Sequence, residues 1–137
     1  MAKSGAIEVF GIQVRPGEVA RERVRVAEFA DGAPMTMPLT IVNGRRPGPT
    51  LYLQAGIHGD EVTGTEVAVR LTSQVSPDQL SGVLITAPIA NVPAYLTRSR
   101  SFALEERAGL NIHGVFPGTD TFLTDRIPKK IHDEILA

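Results

Sequence analysis

The residues best suited to chemistry lie in one short segment, Gly56-Ile57-His58-Gly59-Asp60-Glu61. His58 and Glu61 are three positions apart, and imidazole nitrogen and carboxylate oxygen are both good ligands for zinc. At a strand-to-helix turn, this spacing can aim both side chains at one point above the edge of a sheet. Gly56 and Gly59 give the backbone the freedom to make that turn. The segment therefore predicts a metal site with His58 and Glu61 among its ligands.

The same segment has an ordinary structural interpretation. A histidine and an acid three positions apart occur often by chance, and the helix dipole favours an acid at a helix N-terminus. Asp60 is better explained as such a turn or helix-start acid than as a catalytic base. The metal hypothesis gains weight from position, because ligands of open α/β sheets bind at the carboxyl ends of the strands.

Three elements are expected to position this segment. Residues 50–56 form a short, mostly apolar run, which is typical of a strand buried on both faces. Residues 61–73 are expected to form a helix, and residues 82–87 a second buried strand. Strand, helix and strand in this order predict a βαβ unit with a parallel pair and a right-handed crossover. The fold class is therefore expected to be α/β.

The preceding part of the chain has the patterns of β-structure. Residues 21–29 and 35–41 each alternate apolar with polar or smaller residues, which predicts two half-buried strands with an Asp31-Gly32 turn between them. Pro38 lies inside the second run and favours an edge strand. The apolar positions of the two runs are Val24, Val26, Met35, Met37, Leu39 and Ile41.

Residues 43–49 are dense in glycine and proline, so a loop and a domain boundary are expected there. The chain is accordingly divided into a β-rich N-terminal segment, residues 1–45, and an α/β domain, residues 46–137. Residues 91–118 are expected to be mostly irregular.

The last helix is expected to begin near Thr124 or Asp125 as N-cap, with Pro128 in its first turn. Its apolar face would hold Ile127, Ile131 and Ile135. It runs to Ala137 without a stop signal, which suits a truncated chain.

Composition limits the classes of protein and of site. The chain has 137 residues, of which 42% are hydrophobic and 21% are charged, as in ordinary globular domains. It has no cysteine, so any zinc must be held by histidines and carboxylates. A net charge of −1 provides no basic field for nucleic acid or an anionic membrane. The sequence has no apolar run of signal-peptide or membrane-helix length. A cytoplasmic protein that binds neither nucleic acid nor a membrane is therefore expected.

Four segments, in order, resemble one family. The sequence AGIHGDEVTGTEVA resembles the metal-binding segment of the succinylglutamate desuccinylase and aspartoacylase family, which are zinc enzymes related to M14 carboxypeptidases. Residues 91–100, NVPAYLTRSR, are similar to that family's next loop. Residues 109–118, GLNIHGVFPG, resemble its LNxNRxFPG segment, and residues 124–136 its following helix. The resemblance covers almost the whole chain and implies the first part of a zinc-carboxypeptidase-like parallel or mixed sheet with helices.

The resemblance implies a role for each matching residue. His58 and Glu61 would be zinc ligands, and Arg100 would contact the substrate near its scissile carbonyl as a catalytic residue. Arginine in that place can polarise a carbonyl or hold a carboxylate, although a solvated loop arginine is the ordinary alternative. Asn111 and His113 fall in the family's substrate-binding segment.

The sequence also departs from the family pattern. The family's Asn-Arg pair, which binds a substrate carboxylate, is replaced by His113 and Gly114. Gly114 has no guanidinium, so an acidic substrate is not expected, and a different acyl amino compound or a lost activity fits better. The family's third ligand and general base would lie beyond Ala137. His113 or His132 could supply the third ligand, but His132 is more simply explained as an exposed helical histidine.

The expected function is zinc-dependent hydrolysis of the amide bond of a small N-acyl amino compound, by an incomplete enzyme. Metal-assisted hydrolysis is the implied mechanism, in which zinc activates water and polarises the amide carbonyl. The alternative is a truncated, non-catalytic relative that acts as a metal-binding or interaction module. Self-association is a third expectation, because an incomplete sheet has an open edge that can pair.

Overall fold

The computed structural model describes residues 5–102, 104–105 and 112–137. The described chain begins with a small antiparallel hairpin of β1 (Ile7–Val9) and β2 (Ile12–Val14). Phe10 and Gly11 form its two-residue turn with φ of 53° and 72°. Two successive positive φ angles match the right-handed twist of the flanking strands.

A second, longer hairpin follows, formed by β3 (Val19–Glu28) and β4 (Pro34–Asn43). In the connection, Gly32 has a φ of 83°, and the Asp31 carboxylate accepts the Ala33 N–H at 3.0 Å. Both the predicted turn and the predicted alternation are confirmed. The alternating side chains buried in the core are Val24, Val26, Met35, Met37, Leu39 and Ile41.

The predicted βαβ unit consists of β5 (Arg46–Gln54), α1 (Val62–Gln74) and β6 (Ser81–Ala87). Strands β5 and β6 are parallel, while β6 is antiparallel to β4. The four strands form one mixed sheet in the order β3-β4-β6-β5. The α/β fold class is thus confirmed, and the carboxyl end of β5 leads directly into the segment that holds His58 and Glu61.

The edge position predicted for the strand with Pro38 is wrong. Strand β4 lies between β3 and β6. However, β6 pairs only with residues 40–43 of β4, so Pro38 lies where β3 is the one neighbouring strand. The missing N–H of Pro38 therefore removes no bond from the β4–β6 ladder.

Two expectations for β5 are also wrong. Residues 46–49 belong to the strand rather than to a loop, with irregular pairing between Arg46 and Thr50. An edge strand tolerates Pro47 and Pro49 because one side of it needs no ladder bonds. Nor is β5 buried on both faces: Leu51 is 59% exposed, whereas β6 is buried from Gly82 onward as predicted.

The sheet is continuous across position 45, because β4 pairs with β6. The division into residues 1–45 and 46–137 remains a prediction about domain organisation.

The region expected to be mostly irregular contains a short helix, α2 (Val92–Thr97), and a 3₁₀ turn (Ile112–Val115). Asn91 caps α2, with its side-chain oxygen accepting the Ala94 N–H at 3.2 Å, and Pro93 lies in the first turn. An asparagine followed two positions later by proline is a helix-start signal. At six residues, α2 is too short for periodicity to reveal it.

Helix α3 (Leu123–Ile131) continues into a π-helical turn (His132–Leu136). Its N-cap is Phe122, so the predicted N-cap is wrong and Pro128 lies inside the helix rather than in its first turn. The Glu105 carboxylate instead accepts the N–H groups of Leu123 at 2.7 Å and Thr124 at 2.9 Å. The predicted apolar face is confirmed: Ile127 and Ile131 are buried, and Ile135 packs against the core.

In residues 5–102, 104–105 and 112–137, no helix combines the length and the apolar character needed to cross a membrane.

Candidate metal centre

The loop between β5 and α1 is held closely against the chain that follows β6. Gly56 has a φ of 60°, and a Cβ there would lie 2.9 Å from the Cα of Ile89. A Cβ on Gly59 would lie only 1.9 Å from the carbonyl oxygen of Ala94. Both positions therefore require glycine, and their close packing determines where His58 lies.

Asn91 links the loop between β5 and α1 to α2. It is fully buried, and its side-chain nitrogen donates to the Ile57 carbonyl at 3.0 Å while its oxygen caps α2. Its backbone N–H donates to the Gly56 carbonyl at 2.9 Å. Sequence reasoning treated Asn91 only as the first residue of a family-like loop, although its capping signal was present in the sequence.

His58 and Glu61 come together as predicted from their spacing. The Nδ1 atom of His58 lies 3.1 Å from Oε2 of Glu61. Glu61 is the N-cap residue of α1, yet its side chain accepts no helix N–H. Its other oxygen, Oε1, accepts from Nη1 of Arg100 at 2.5 Å. The Glu61 carboxylate thus contacts the side chains of His58 and Arg100 and does not cap the helix.

These contacts favour the ionised form of Glu61. The hydrogen bond from Arg100 is the largest cause of a lowered Glu61 pKa, and the hydrogen bond with His58 comes next. The side chains of Glu61 and Arg100 are 60% and 55% exposed, whereas that of His58 is 9% exposed. The cluster therefore has a buried imidazole at its base and a solvent-facing ion pair above it.

The donor set is compatible with zinc. Two tetrahedral ligands at normal zinc distances have donor atoms about 3.4 Å apart, close to the 3.1 Å between His58 Nδ1 and Glu61 Oε2. Within the described part of the chain, no group of three or more histidines and carboxylates could hold a metal ion. The structure thus provides a pair of suitable ligands rather than a complete catalytic set.

His113 lies on the other side of the His58 ring. The 3₁₀ turn brings its Nδ1 to 3.2 Å from Nε2 of His58, with the two rings edge to face at 81°. Its contact is with Nε2, while Glu61 lies at Nδ1. His113 therefore does not face the point between His58 Nδ1 and Glu61 Oε2 where those two residues could share a metal ion.

The other selected residues lie elsewhere. Asn111 is outside the described residues, so its substrate-binding role remains a prediction. His132 is exposed in the π-helical turn, with Nδ1 at 3.3 Å from Asp133 Oδ1. Asp60 is exposed beside the ligand pair. The structure thus brings together His58, Glu61, Arg100 and His113. The metal-binding role of the first two, the catalytic role of Arg100 and the substrate-binding role of Arg100 and His113 remain predictions.

A cavity of about 240 Å³ opens beside this cluster, lined by residues 54–58 with Glu61 and Gly64. Its size is that of a shallow depression rather than an enclosed ligand pocket. A larger cavity of about 480 Å³ lies between β3 and α3 and is lined by none of the clustered side chains.

Comparison with known proteins places these features in a family. Residues 47–124 match the succinylglutamate desuccinylase/aspartoacylase catalytic domain. An N-alpha-acetyl-L-2,4-diaminobutyric acid deacetylase from Halomonas elongata is 36% identical over 101 residues, covering 73% of this chain and 28% of the deacetylase.

Solved structures agree with that match. An aspartoacylase family protein from Mesorhizobium loti superposes with a TM-score of 0.78 at 28% identity, covering 99% of this chain and 41% of that protein. The product-bound ectoine utilization protein from Ruegeria pomeroyi superposes with a TM-score of 0.74 at 27% identity, covering 86% of this chain and 36% of its own. This chain therefore spans less than half the length of each of these relatives.

Proposed function

Because the chain belongs to the succinylglutamate desuccinylase/aspartoacylase family, we propose that it supplies the first two zinc ligands of a deacylase acting on an N-acyl amino acid. The observation that carries the proposal is the His58–Glu61–Arg100 cluster at the carboxyl end of β5. That end of a parallel strand is where ligands bind in open α/β sheets.

In this proposal, His58 and Glu61 hold zinc, which when bound supplies Lewis acidity toward the amide carbonyl. Arg100 positions the Glu61 carboxylate through one of its N–H groups. A guanidinium has five N–H donors, so others can stabilise the negative charge that develops on the carbonyl oxygen. The general base would come from outside these residues.

The proposed substrate is a small N-acyl amino acid without an acidic side chain. Gly114 stands where the family pattern has the arginine that binds a substrate carboxylate. The Halomonas relative is named for a substrate whose side chain carries an amine. Asn111 and His113 are proposed to border the substrate, and N-acetyl-2,4-diaminobutyrate is the first compound to test.

Metal binding tests the site directly. We expect the chain to bind close to one zinc per site, and His58→Ala to abolish this binding because it removes the buried imidazole ligand. His132→Ala, which removes an exposed histidine, is the matched control and should leave zinc content unchanged. Elemental analysis after reconstitution is the measurement. Absence of zinc from the unmodified protein would contradict the metal proposal.

Activity tests the reaction separately. Acetate should be released faster from N-acetyl-2,4-diaminobutyrate than from N-acetylaspartate. This activity should be lost in Glu61→Gln. If zinc binds but no N-acyl amino acid is hydrolysed at any metal loading, the enzyme proposal fails and a metal-binding module remains.

An interaction module is the second candidate, and the exposed edge of the sheet favours it. In the described chain, β5 pairs with β6 on one side only. Leu51 on β5 is 59% exposed, and α1 exposes Val67 at 57% and Val69 at 49%. Open edges beside apolar side chains are sites of strand pairing, so the proposed partner is a second copy of the chain.

A further inference from the structure

We propose that His113 is a positioning residue for the metal ligand His58, and that it orients the imidazole by hydrogen bonding to Nε2. The inference deepens the proposed function and rests on it, since it takes His58 and Glu61 to be ligands. It gives His113 a role exerted through another residue, beyond the substrate contact that the family resemblance implied.

The His58 ring is held from both ends. On one side, Nδ1 lies 3.1 Å from Glu61 Oε2, and on the other, Nε2 lies 3.2 Å from His113 Nδ1. His58 itself is only 8% exposed, whereas Glu61 and His113 are exposed. Two polar contacts on opposite ring nitrogens restrict both the rotation and the tilt of the imidazole.

Metal binding, rather than these contacts alone, decides the tautomer. Without a metal, the Glu61 carboxylate accepts from an Nδ1–H of His58. A neutral imidazole carries one N–H, and a nitrogen that binds a metal must offer its lone pair. For Nδ1 to bind zinc beside Glu61, the proton must be on Nε2. A buried N–H requires an acceptor, and His113 Nδ1 is within hydrogen-bonding distance. Metal-bound histidines generally donate their second N–H to such a partner.

The local fold holds His113 in place. It lies in the 3₁₀ turn Ile112–Val115, and the preceding Ile112 is fully buried in the core. Ile112 thus anchors the turn beside His58, while the His113 side chain itself is exposed. Gly114, which follows, adds no side chain to this side of the site.

One competing arrangement uses the same atoms. A metal could be held between His58 Nε2 and His113 Nδ1, which would make His113 a ligand and leave Glu61 out. Substituting His113 by asparagine or by leucine distinguishes the positioning role from the ligand role. The asparagine oxygen reaches the place of Nδ1 and accepts a hydrogen bond, while leucine has a similar size and accepts none.

Zinc titration calorimetry on the unmodified chain, His113→Asn and His113→Leu tests the proposal. We expect His113→Leu to weaken zinc binding by about 10- to 100-fold and His113→Asn to restore most of that loss. Equal loss in both variants would make His113 a ligand and overturn the proposal, as would no loss in either. Failure of the unmodified chain to bind zinc would instead overturn the proposed function together with this inference.

A second measurement needs no variant. Long-range ¹H–¹⁵N NMR of the zinc-loaded protein should show His58 protonated at Nε2 and metal-bound at Nδ1. A metal-bound Nε2, or a proton on Nδ1, would overturn the proposal even if the His113 variants fail to fold.

Discussion

Gly59 lies in the loop between β5 and α1, at a point where that loop packs closely against α2. The missing side chain matters here because a Cβ would lie 1.9 Å from the Ala94 carbonyl oxygen, a backbone atom that cannot move aside alone. The positions of His58 and Glu61, the proposed ligands, therefore depend on the close packing that Gly59 allows as well as on their own contacts.

We predict that Gly59→Ala lowers the free energy of unfolding by about 3 kcal/mol, because overpacking forces the loop away from α2. Gly64→Ala is the matched control: its Cβ would meet Ala55 Cβ at 3.6 Å, an ordinary contact inside a helix. The control should raise stability by about 0.5–1 kcal/mol. Urea unfolding measures both, and equal stability of the two variants would contradict the packing argument.

At the scale of elements, a single side chain connects α2 to the loop after β5. Asn91 caps the helix and also donates to the Ile57 carbonyl, so the two elements share one buried amide. Displacing α2 should therefore displace the loop that carries the proposed ligands.

We predict that Asn91→Ala lowers the free energy of unfolding by about 2–4 kcal/mol, because it removes a cap and leaves the part-buried Ile57 carbonyl without its donor. Asn91→Ser keeps a capping oxygen but not the reach to Ile57, and should lose less. Thermal unfolding with zinc titration of both variants measures the effect. If alanine and serine behave alike, the cap contributes nothing measurable.

The junction of α3 with its π-helical turn is expected to respond to pH. Lys129 donates to Asp133, which is the largest cause of the lowered Asp133 pKa and the raised Lys129 pKa. The contribution of Asp133 is therefore complete above its unfolded pKa of about 3.9 and is lost as pH falls through its folded value. The stability that Lys129 contributes is lost only at high pH, as the pH rises through the raised pKa of its ammonium group.

We predict that Lys129→Gln lowers the melting temperature slightly at pH 6, and that the difference from the unmodified protein shrinks as the pH falls through the lowered pKa of Asp133 and its carboxylate becomes protonated. The same substitution made in an Asp133→Asn background, where this carboxylate cannot titrate, is the control. Calorimetry across that pH range is the measurement. A difference that stays constant down to the lowest pH would contradict the pairing.

At the scale of the whole molecule, the described sheet has β3 and β5 as its edge strands, and of these two β5 carries an exposed large apolar side chain, Leu51. Helix α1 buries small residues, Thr65, Ala68 and Thr72, while its valines remain exposed. This explains why its apolar periodicity is weak in the sequence: the buried face of α1 is made of small residues, two of them polar.

We predict that the chain associates with itself through β5, and that Leu51→Lys shifts it toward the monomer because a charge opposes pairing at an open edge. Leu96→Lys is the control, since Leu96 is 76% exposed on α2 rather than on β5. Light scattering at several concentrations gives the mass. A monomer in the unmodified protein would exclude this interface.

Local pattern is sufficient to predict much of this molecule. The alternation through Met35, Met37 and Leu39 and the βαβ order could be read from neighbouring residues, because a side chain's face is set by positions two to four residues away. The approach of His58 to Glu61 was predictable for the same reason: both belong to one turn.

Tertiary structure alone decided the contacts between distant parts of the chain. The insertion of β4 between β3 and β6, the capping of α3 by Glu105 and the contact of His113 with His58 join residues far apart in sequence. Such partners are selected by packing of the whole core, which no local pattern encodes. The sequence by itself thus determined which residue types are available for zinc chemistry, and the fold decided which ring nitrogen faces which partner.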